Sequence, residues 1–280
     1  MTLPVKIGID VKAAISETSA GKLVEALTDL ISPLTESFGL IGDRIKLHRT
    51  ETALKVALAA MALIEAQQLP VRLIPMKGLV PLLEKASLED PDDDQMILMW
   101  GKLLAGSVDG NTAYLPRYTT ILSELTSESA KLFEHIVARD HYLREETAEE
   151  LGMIMSDCDS DSLIRDLKRE KHGDNIVEFG EKIIYELNRP GVAIEWIMIE
   201  YDGVTDILEA SSVDASDQRF IPRGGHLLEF SVLEGLGLIR SYSFSDVDIF
   251  PFVASVTFSV VTALGYDFYA CCNPGKLRRF

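Results

Sequence analysis

The residues best suited to chemistry form an acidic run at 89–94, where Glu89, Asp90 and Asp92–Asp94 supply five carboxylates. Hard divalent cations prefer carboxylate oxygens, so a metal-dependent nuclease that uses Asp92–Asp94 is one hypothesis. The run is also typical of a helix start. Asp90 suits an N-cap, Pro91 suits the first helical position, and acidic side chains there complement the helix dipole. We favour the helix start, which explains every residue of the run, and predict no metal ligands.

Other residues that bind metals or act as nucleophiles are less favourably spaced. Residues 157–162 open like a calcium loop, but Ser162 and Lys168 occupy positions that require glycine and glutamate. No two of the five histidines have the spacing of a helical zinc site. The adjacent Cys271 and Cys272 have the chemistry for a soft metal or for redox, but we expect at least one to pack in the core.

The known catalytic fingerprints are missing from the chain. It contains no P-loop, no nucleophile elbow and no dinucleotide-binding motif. A Ser–His–Asp site assembled from distant positions stays open, and nothing favours it. We therefore predict no catalytic residues and no cofactor.

Bulk composition restricts the partners and the compartment. The net charge is −17, from 44 acidic and 27 basic residues, which disfavours nucleic acid and anionic membranes unless a local basic patch is present. Three cysteines, two of them adjacent, do not form a disulfide framework and suit a reducing cytoplasm. The first 21 residues lack the pattern of a signal peptide, so we expect a cytoplasmic protein.

The first half of the chain is predicted to be helical. Apolar residues at helical spacing predict helices over 22–38, 40–68, 90–107 and 127–139. Pro70, Pro75 and Pro81 indicate a connection, and 116–121 indicates a junction, so we place a domain boundary near residue 120. The apolar region Leu54–Leu83 suggests membrane action as an alternative, but a buried core helix explains it better.

The second half is predicted to end in a winged-helix-like unit. Residues 191–201 are apolar on both faces and fit a buried strand or a buried helix, while 211–225 suggests a loop. The elements expected after this loop are a helix at 226–236, a strand at 238–244, a hairpin tip at 245–251, a strand at 255–261 and a helix at 263–272 capped by Thr262. That order is typical of a winged helix over about 226–272.

Two stretches of this chain resemble the abortive-infection alpha family of bacteria. The first is QMILMWGKLLAGSVDG followed by PRYTTILSELTSESAKLFEHI, in which the matching residues are Trp100, Leu103, Leu104, Pro116, Leu122, Leu125, Glu128 and Ala130. The second is EGLGLI with VVTALGYDFYACC, where Thr262, Leu264, Gly265, Phe268 and Cys271 match and Val261 replaces a more usual leucine. The resemblance covers 40–272. It implies defence against phage and supplies no catalytic residues.

These observations predict a mainly α protein with a helical N-terminal domain at 1–120 and an α+β, winged-helix-like C-terminal domain at 121–280. The expected function is anti-phage defence by protein–protein contact, as a sensor of a phage or host protein. The candidate contact residues lie on the first strand and the tip of the predicted hairpin and are Arg240, Tyr242, Phe244, Asp246, Asp248 and Phe250. The sequence leaves the oligomeric state open.

The main alternative is a winged-helix DNA-binding regulator. A recognition helix needs Lys or Arg for phosphates and guanine edges, but 226–236 has neither and carries Glu229 and Glu234. The wing tip adds Asp246 and Asp248. Basic residues gather in two small clusters elsewhere, at Arg44–Arg49 and Lys276–Arg279, so nucleic acid is not the favoured partner.

Overall fold

The structure is a computed structural model that describes residues 39–69, 74–108, 114–138, 160–169, 172, 175–187, 192–201, 204–208 and 226–273. It confirms the predicted class, which is mainly α with an α+β C-terminal part. The chain divides into two compact units, 1–124 and 125–280. The predicted helix at 22–38, the loop at 211–225 and the calcium-like loop up to residue 159 lie outside the described residues.

The first unit contains four helices in its described part: α1 (Gly39–Gln67), α2 (Met76–Ala86), α3 (Asp94–Val108) and α4 (Leu115–Glu124). Small residues let α1 and α3 approach closely, since a Cβ added at Gly101 would lie 2.7 Å from the Ala59 Cβ. The alanine-rich half of α1 buries Ala53, Val56 and Ala60. No described helix has both the length and the apolar character that crossing a bilayer requires.

Two predictions about proline in the first unit are wrong. Residues 116–121 are not a junction, because Pro116 is the second residue of α4, where a missing backbone N–H costs no hydrogen bond. Pro81 lies inside α2 rather than in a connection. Residue 120, near which the domain boundary was predicted, lies close to the end of α4 at Glu124, where the first compact unit also ends.

The start of α3 also differs from the prediction. The helix begins at Asp94, and the Asp93 Oδ1 accepts the Met96 N–H at 3.0 Å, so Asp93 and not Asp90 provides the cap. Asp90 instead accepts the Asp92 N–H at 2.9 Å in the preceding turn. Any of these neighbouring aspartates has a side chain that can cap a helix, so residue type does not distinguish them. The turn at 90–93 determines which one lies at the start of α3.

The helices described in the second unit are α5 (Ser127–Ala138), α6 (Ser160–Arg169), α7 (Ile176–Glu186), α8 (Leu227–Gly235) and α9 (Ala263–Cys272). Polar side chains cap the N-termini of three of these helices. Thr126 accepts the Ser129 N–H at 3.2 Å, Asn175 accepts the Val177 N–H at 3.0 Å, and Thr262 accepts the Gly265 N–H at 3.0 Å. The predicted cap at Thr262 is confirmed.

The strands described in the second unit form an antiparallel sheet with the order β2-β1-β4-β3. The strands are β1 (Val192–Tyr201), β2 (Val204–Leu208), β3 (Ile239–Ile249) and β4 (Phe252–Val261). The described part of the undecided stretch, Val192–Tyr201, is therefore a strand and not a helix. Its apolar residues do not alternate with polar ones because consecutive side chains, which point to opposite faces of the sheet, are mostly buried. The helix–strand–strand–helix order of 226–272 is present, but β4 also pairs with β1, so β3 and β4 are half of a larger sheet.

The hairpin tip is shorter than the predicted 245–251. Only Phe250 and Pro251, joined by a cis peptide bond, lie between the paired residues Ile249 and Phe252. Ser245 and Asp246 belong to β3 as a bulge, because Phe244 pairs with Val256 and Val247 pairs with Ala254. The bulge extends the strand through polar residues that sequence patterning assigns to a turn.

One face of the sheet is packed by α7. The Phe179 ring stacks on the Phe252 ring with centroids 4.4 Å apart, and His172 meets the edge of Phe179 at 4.7 Å. On the same face Tyr242 stacks on Phe258 at 5.6 Å. Residues directly opposite each other in a sheet share a face, so the register assigns Glu200, Val253 and Asp248 to the other face.

Candidate functional site

The acidic run is held by side chains of α1. The Lys55 ammonium donates to the Pro91 carbonyl at 2.9 Å and lies 3.3 Å from the Glu51 carboxylate. The Arg49 Nε donates to the Ser87 hydroxyl at 2.9 Å. Within the described residues, no group of three or more His, Cys, Asp and Glu side chains is arranged to hold a metal ion. The arrangement fixes the connection between α2 and α3.

Glu89 accepts a hydrogen bond from Trp100, the buried tryptophan that matches the abortive-infection alpha pattern. The Trp100 ring is fully buried, and its Nε1–H donates to the Glu89 Oε1 at 2.9 Å. Burial raises the pKa of the Glu89 carboxyl above its ordinary 4.5, and the nearby Asp93 charge adds to this against the opposing effect of the Trp100 bond. The indole N–H needs an acceptor in the core, so a packing role accounts for this carboxylate.

The adjacent cysteines lie at the buried end of α9. Neither Cys271 nor Cys272 is in a disulfide, and the two residues are 1 % and 0 % exposed. Neighbouring Tyr269 packs against Phe133, and burial, with smaller contributions from Glu134 and Cys272, raises the pKa of its hydroxyl to about 12. This environment disfavours charge, and both thiols pack in the core.

A buried carboxylate, that of Glu195, begins a chain of hydrogen bonds that runs across three strands of the sheet. Glu195 is the extra residue of a bulge in β1 and is 5 % exposed. The Ser259 hydroxyl donates to its Oε1 at 2.5 Å, and the Ser241 hydroxyl lies 2.8 Å from that of Ser259. Since Ser259 gives its proton to Glu195, Ser241 donates to Ser259. The chain of hydrogen bonds links β1, β4 and β3 and fixes their register.

The second motif of the resemblance forms a structural joint. The Thr262 hydroxyl donates to the Gly237 carbonyl at 2.6 Å while it caps α9 through the Gly265 N–H. A Cβ at Gly265 would lie 2.2 Å from the Leu238 carbonyl oxygen, so only glycine fits there. Gly237 has φ +75°, a conformation that suits glycine. These residues join the start of α9 to the turn before β3, and their signature reflects packing.

The six candidate contact residues occupy β3 and its turn in different environments. Phe244 is buried at 8 % exposure, and Tyr242 is half-buried against Phe258. Arg240 is exposed near the other end of the strand. Three residues remain exposed at the hairpin end, namely Asp246, Asp248 and Phe250, and Phe250 has a fractional exposure of 92 %.

The register adds two residues to these three. Val253 pairs with Asp248 on one side and with Glu200 on the other, so the two exposed carboxylates flank a half-buried valine on one sheet face. Two strand spacings separate them, which is about 10 Å between their Cα atoms. We call Glu200, Asp246, Asp248, Phe250 and Val253 the hairpin-end surface.

This surface is positioned by the bulge. Asp246 has φ +53°, and its N–H donates at 2.9 Å to the hydroxyl of Ser255, which is buried beneath it. Asp residues tolerate this conformation better than most. Among the described residues, Glu200, Asp246 and Asp248 make no ion pair. The surface therefore presents one aromatic ring and three carboxylates for which the described part of the chain supplies no cationic partner.

Sequence reasoning missed Glu200 and Val253. Glu200 lies far from the hairpin along the chain and ends an apolar strand whose type the pattern left undecided. Its place opposite Val253 depends on the bulge at Glu195, which shifts the register by one residue. The only local signal was the switch from apolar to acidic at the end of the strand.

The elements described above place this chain in a mainly α class with a small antiparallel sheet. The sequence model of the family described as abortive infection alpha matches residues 46–272. The chain therefore belongs to the abortive infection alpha family. No curated protein and no solved structure matches this chain.

Proposed function

We propose that this protein acts in cytoplasmic anti-phage defence of the abortive-infection type, and that it works by binding a phage or host protein through the hairpin-end surface. Membership of the family supports the defence role. The contact mechanism is supported by the second unit, where Phe250, the most exposed large apolar side chain among those described, lies at the end of a hairpin that also bears the exposed carboxylates of Asp246 and Asp248.

The exposure of Phe250 is the observation that carries the proposal. A phenylalanine left in water forgoes about 2 kcal/mol of burial free energy. Single exposed apolar residues are common on protein surfaces. Phe250 differs because it tops a two-residue turn between Ile249 and Phe252, both buried, which holds its backbone in place. Aromatic side chains presented in this way are typical anchors of protein interfaces.

The charge of the surface selects the class of partner. Asp246, Asp248 and Glu200 repel phosphate, and α8, the predicted recognition helix, carries Glu229 and Glu234 without Lys or Arg. Nucleic-acid binding relies on Lys and Arg contacts to phosphates. A protein with a basic rim around an apolar pocket complements the surface, since electrostatic complementarity steers association and rejects wrong partners.

The proposal is tested by removing the charges without changing the shape. In the variant D246N/D248N/E200Q, phages that the wild-type protein restricts are expected to plate at least about tenfold more efficiently, because loss of three favourable pairs weakens association. The control E65Q/D94N/E124Q removes three exposed carboxylates from the first unit and should retain wild-type protection.

Two outcomes contradict the contact mechanism. One is full protection by D246N/D248N/E200Q at wild-type protein levels. The other is equal loss in both variants, which indicates an effect of net charge and not of this surface. Failure of the wild-type protein to restrict any phage in a broad panel contradicts the defence role itself.

A further inference from the structure

We propose that the hairpin-end surface of one copy of this protein binds a basic surface on the first unit of a second copy. The basic surface lies where α2 and α4 begin. We call its residues, Met76, Lys77, Tyr114 and Arg117, the helix-start surface. The inference rests on the proposed function, because it concerns the surface assigned there to partner binding. It adds a second copy as a ligand of that surface and assigns a new contact surface to the first unit.

The first turns of α2 and α4 lie side by side. Gly78 permits this approach, since a Cβ there would lie 2.8 Å from the Leu115 Cδ2 atom. Further along the same two helices, the Lys85 ammonium donates to the Ser123 hydroxyl at 2.8 Å, so the helices run parallel. Neighbouring parallel helices begin at the same end of a unit. The exposed residues of both helix starts therefore share one surface.

This surface is basic although the chain as a whole is acidic. Lys77 and Arg117 are both exposed, and neither first turn contains an acidic residue. The net charge of the chain is −17. Cations near a helix N-terminus are also opposed by the helix dipole. The stability of α2 and α4 therefore does not account for these two cations, whereas binding of an acidic surface does.

Exposed apolar side chains lie beside the two cations. Met76 is 56 % exposed, and Tyr114 is 58 % exposed with its ring centroid 6.3 Å from that of Tyr118. The ring of Phe250 complements both, because aromatic rings pack favourably against methionine sulfur and against the edges and faces of other rings. The two surfaces are therefore complementary in apolar character as well as in charge.

The spacing of the charges also matches. The axes of packed helices are about 8–10 Å apart, and this distance separates the backbones that carry Lys77 and Arg117. On the hairpin-end surface, Asp248 and Glu200 lie on either side of one strand, with about 10 Å between their Cα atoms. Each cation can therefore face one carboxylate when the two surfaces meet.

The contact is heterologous, because it joins two different surfaces of the same chain. A dimer formed in this way leaves one unused surface of each kind. A few exposed ion pairs and one aromatic ring make a small interface, so we expect a Kd on the order of 10⁻⁵ to 10⁻⁴ M. Such an affinity is measurable with the full chain in solution.

The test is sedimentation velocity of the full chain at about 5–500 µM, a range that brackets the expected Kd. The variant D246N/D248N/E200Q removes the charges of the hairpin-end surface, and K77Q/R117Q removes those of the helix-start surface. Replacing cations at a helix start relieves an unfavourable interaction with the dipole, so K77Q/R117Q is expected to fold. The control R165Q/K168Q removes two exposed cations from α6 and changes the net charge equally.

We expect each surface variant to associate at least about tenfold more weakly than wild type, and R165Q/K168Q to associate like wild type. An equimolar mixture of the two surface variants should form heterodimers with nearly wild-type affinity, because the mixture retains one complete pair of surfaces. About 500 mM salt should weaken the association of the wild-type protein.

Three results overturn the proposal. The first is a wild-type protein that stays monomeric over the whole concentration range. The second is equal weakening in K77Q/R117Q and in R165Q/K168Q, which indicates an effect of net charge. The third is a mixture of the two surface variants that does not associate, since one complete pair of surfaces is then present without binding.

The phage assay separates failure of this proposal from failure of the proposed function. If D246N/D248N/E200Q loses protection while the wild-type protein is monomeric, the partner contact stands and self-association falls. If the mixture associates as expected while D246N/D248N/E200Q retains full protection, self-association stands and the proposed contact with a phage or host protein falls.

Discussion

Asp248 and Glu200 lie far apart in the sequence, yet both pair with Val253, from opposite sides of β4, and their carboxylates emerge on one face of the sheet. With Asp246 and Phe250 they form a surface of the second unit that combines three exposed carboxylates with an exposed aromatic ring. Most residues of the family signatures, by contrast, are buried or half-buried, and Pro116 and Glu128 are the exposed exceptions. The signature residues therefore mainly maintain the fold, while the residues of the hairpin-end surface are available for contact with a partner.

Gly265→Ala is expected to destabilise the second unit by about 3 kcal/mol or more, since overpacking against backbone leaves few ways to relax. Its Cβ would lie 2.2 Å from the Leu238 carbonyl oxygen and 2.9 Å from a Val261 methyl group. Gly235→Ala is the matched control, because nothing lies within 4 Å of the added Cβ, and it should be neutral or about 0.5 kcal/mol stabilising. Urea unfolding measures both, and equal stabilities would contradict the joint described for Thr262 and Gly265.

Gly101→Ala is expected to cost about 1–3 kcal/mol in the free energy of unfolding, because the added methyl group meets the Ala59 Cβ at 2.7 Å and the Ala60 backbone nitrogen at 3.2 Å. Ala62→Ser, at an exposed position of α1, should change it by less than about 0.5 kcal/mol. Thermal unfolding followed by circular dichroism compares the two. A neutral Gly101→Ala would argue against close packing of the alanine-rich helix.

Glu89 is expected to make stability depend on pH. Because the folded-state pKa lies above 4.5, the folded protein binds this proton more tightly than the unfolded chain does. The contribution is therefore full below pH 4.5 and is lost as pH rises through the raised pKa. Glu89→Gln keeps an acceptor for the Trp100 N–H but does not titrate. Its urea midpoint should rise relative to wild type between pH 4 and pH 7, and a constant difference would contradict this role.

Glu89→Ala removes the acceptor as well as the charge. The buried Trp100 N–H then loses its hydrogen bond to Glu89. This loss is expected to lower the free energy of unfolding by about 1–3 kcal/mol. The alanine variant should be less stable than the glutamine variant at neutral pH in the same urea titration. If both variants have the same midpoint, the hydrogen bond contributes nothing to stability.

Local patterns in the sequence predicted most of the helices. Helical spacing identified α1 and α3, and the hydroxyl of Thr262 marked the start of α9. The errors came where local signals compete. Pro116 suits a helix start as well as a junction, and five neighbouring carboxylates offer several equivalent caps, so the contact of Glu89 with Trp100 and the turn at 90–93 selected Asp93.

The candidate surface was only half predictable because it depends on strand register. Phe250, Asp246 and Asp248 are close in sequence and were named from the hairpin pattern. Glu200 lies beside them only because β1 and β4, which are far apart in the sequence, pair in the sheet. The bulges in β1 and β3 set the register of that pairing. A bulge interrupts the two-residue alternation of a strand and has no recognisable sequence pattern of its own. Neither the exposure of Asp246 nor the burial of Phe244 can therefore be predicted from alternating polarity.

The most direct test of the account is the effect of Phe250→Ala on protection against phage. Leu228→Ala is the matched control, since Leu228 is also a large apolar residue of the second unit and is 70 % exposed. Both changes should alter the free energy of unfolding by less than about 0.5 kcal/mol, because neither side chain is buried. The measurement is the plating efficiency of restricted phages on cells that contain equal amounts of each variant. The account predicts at least about a tenfold loss of protection for Phe250→Ala and none for Leu228→Ala, consistent with an interface anchor. Wild-type protection by a stably folded Phe250→Ala protein would contradict it.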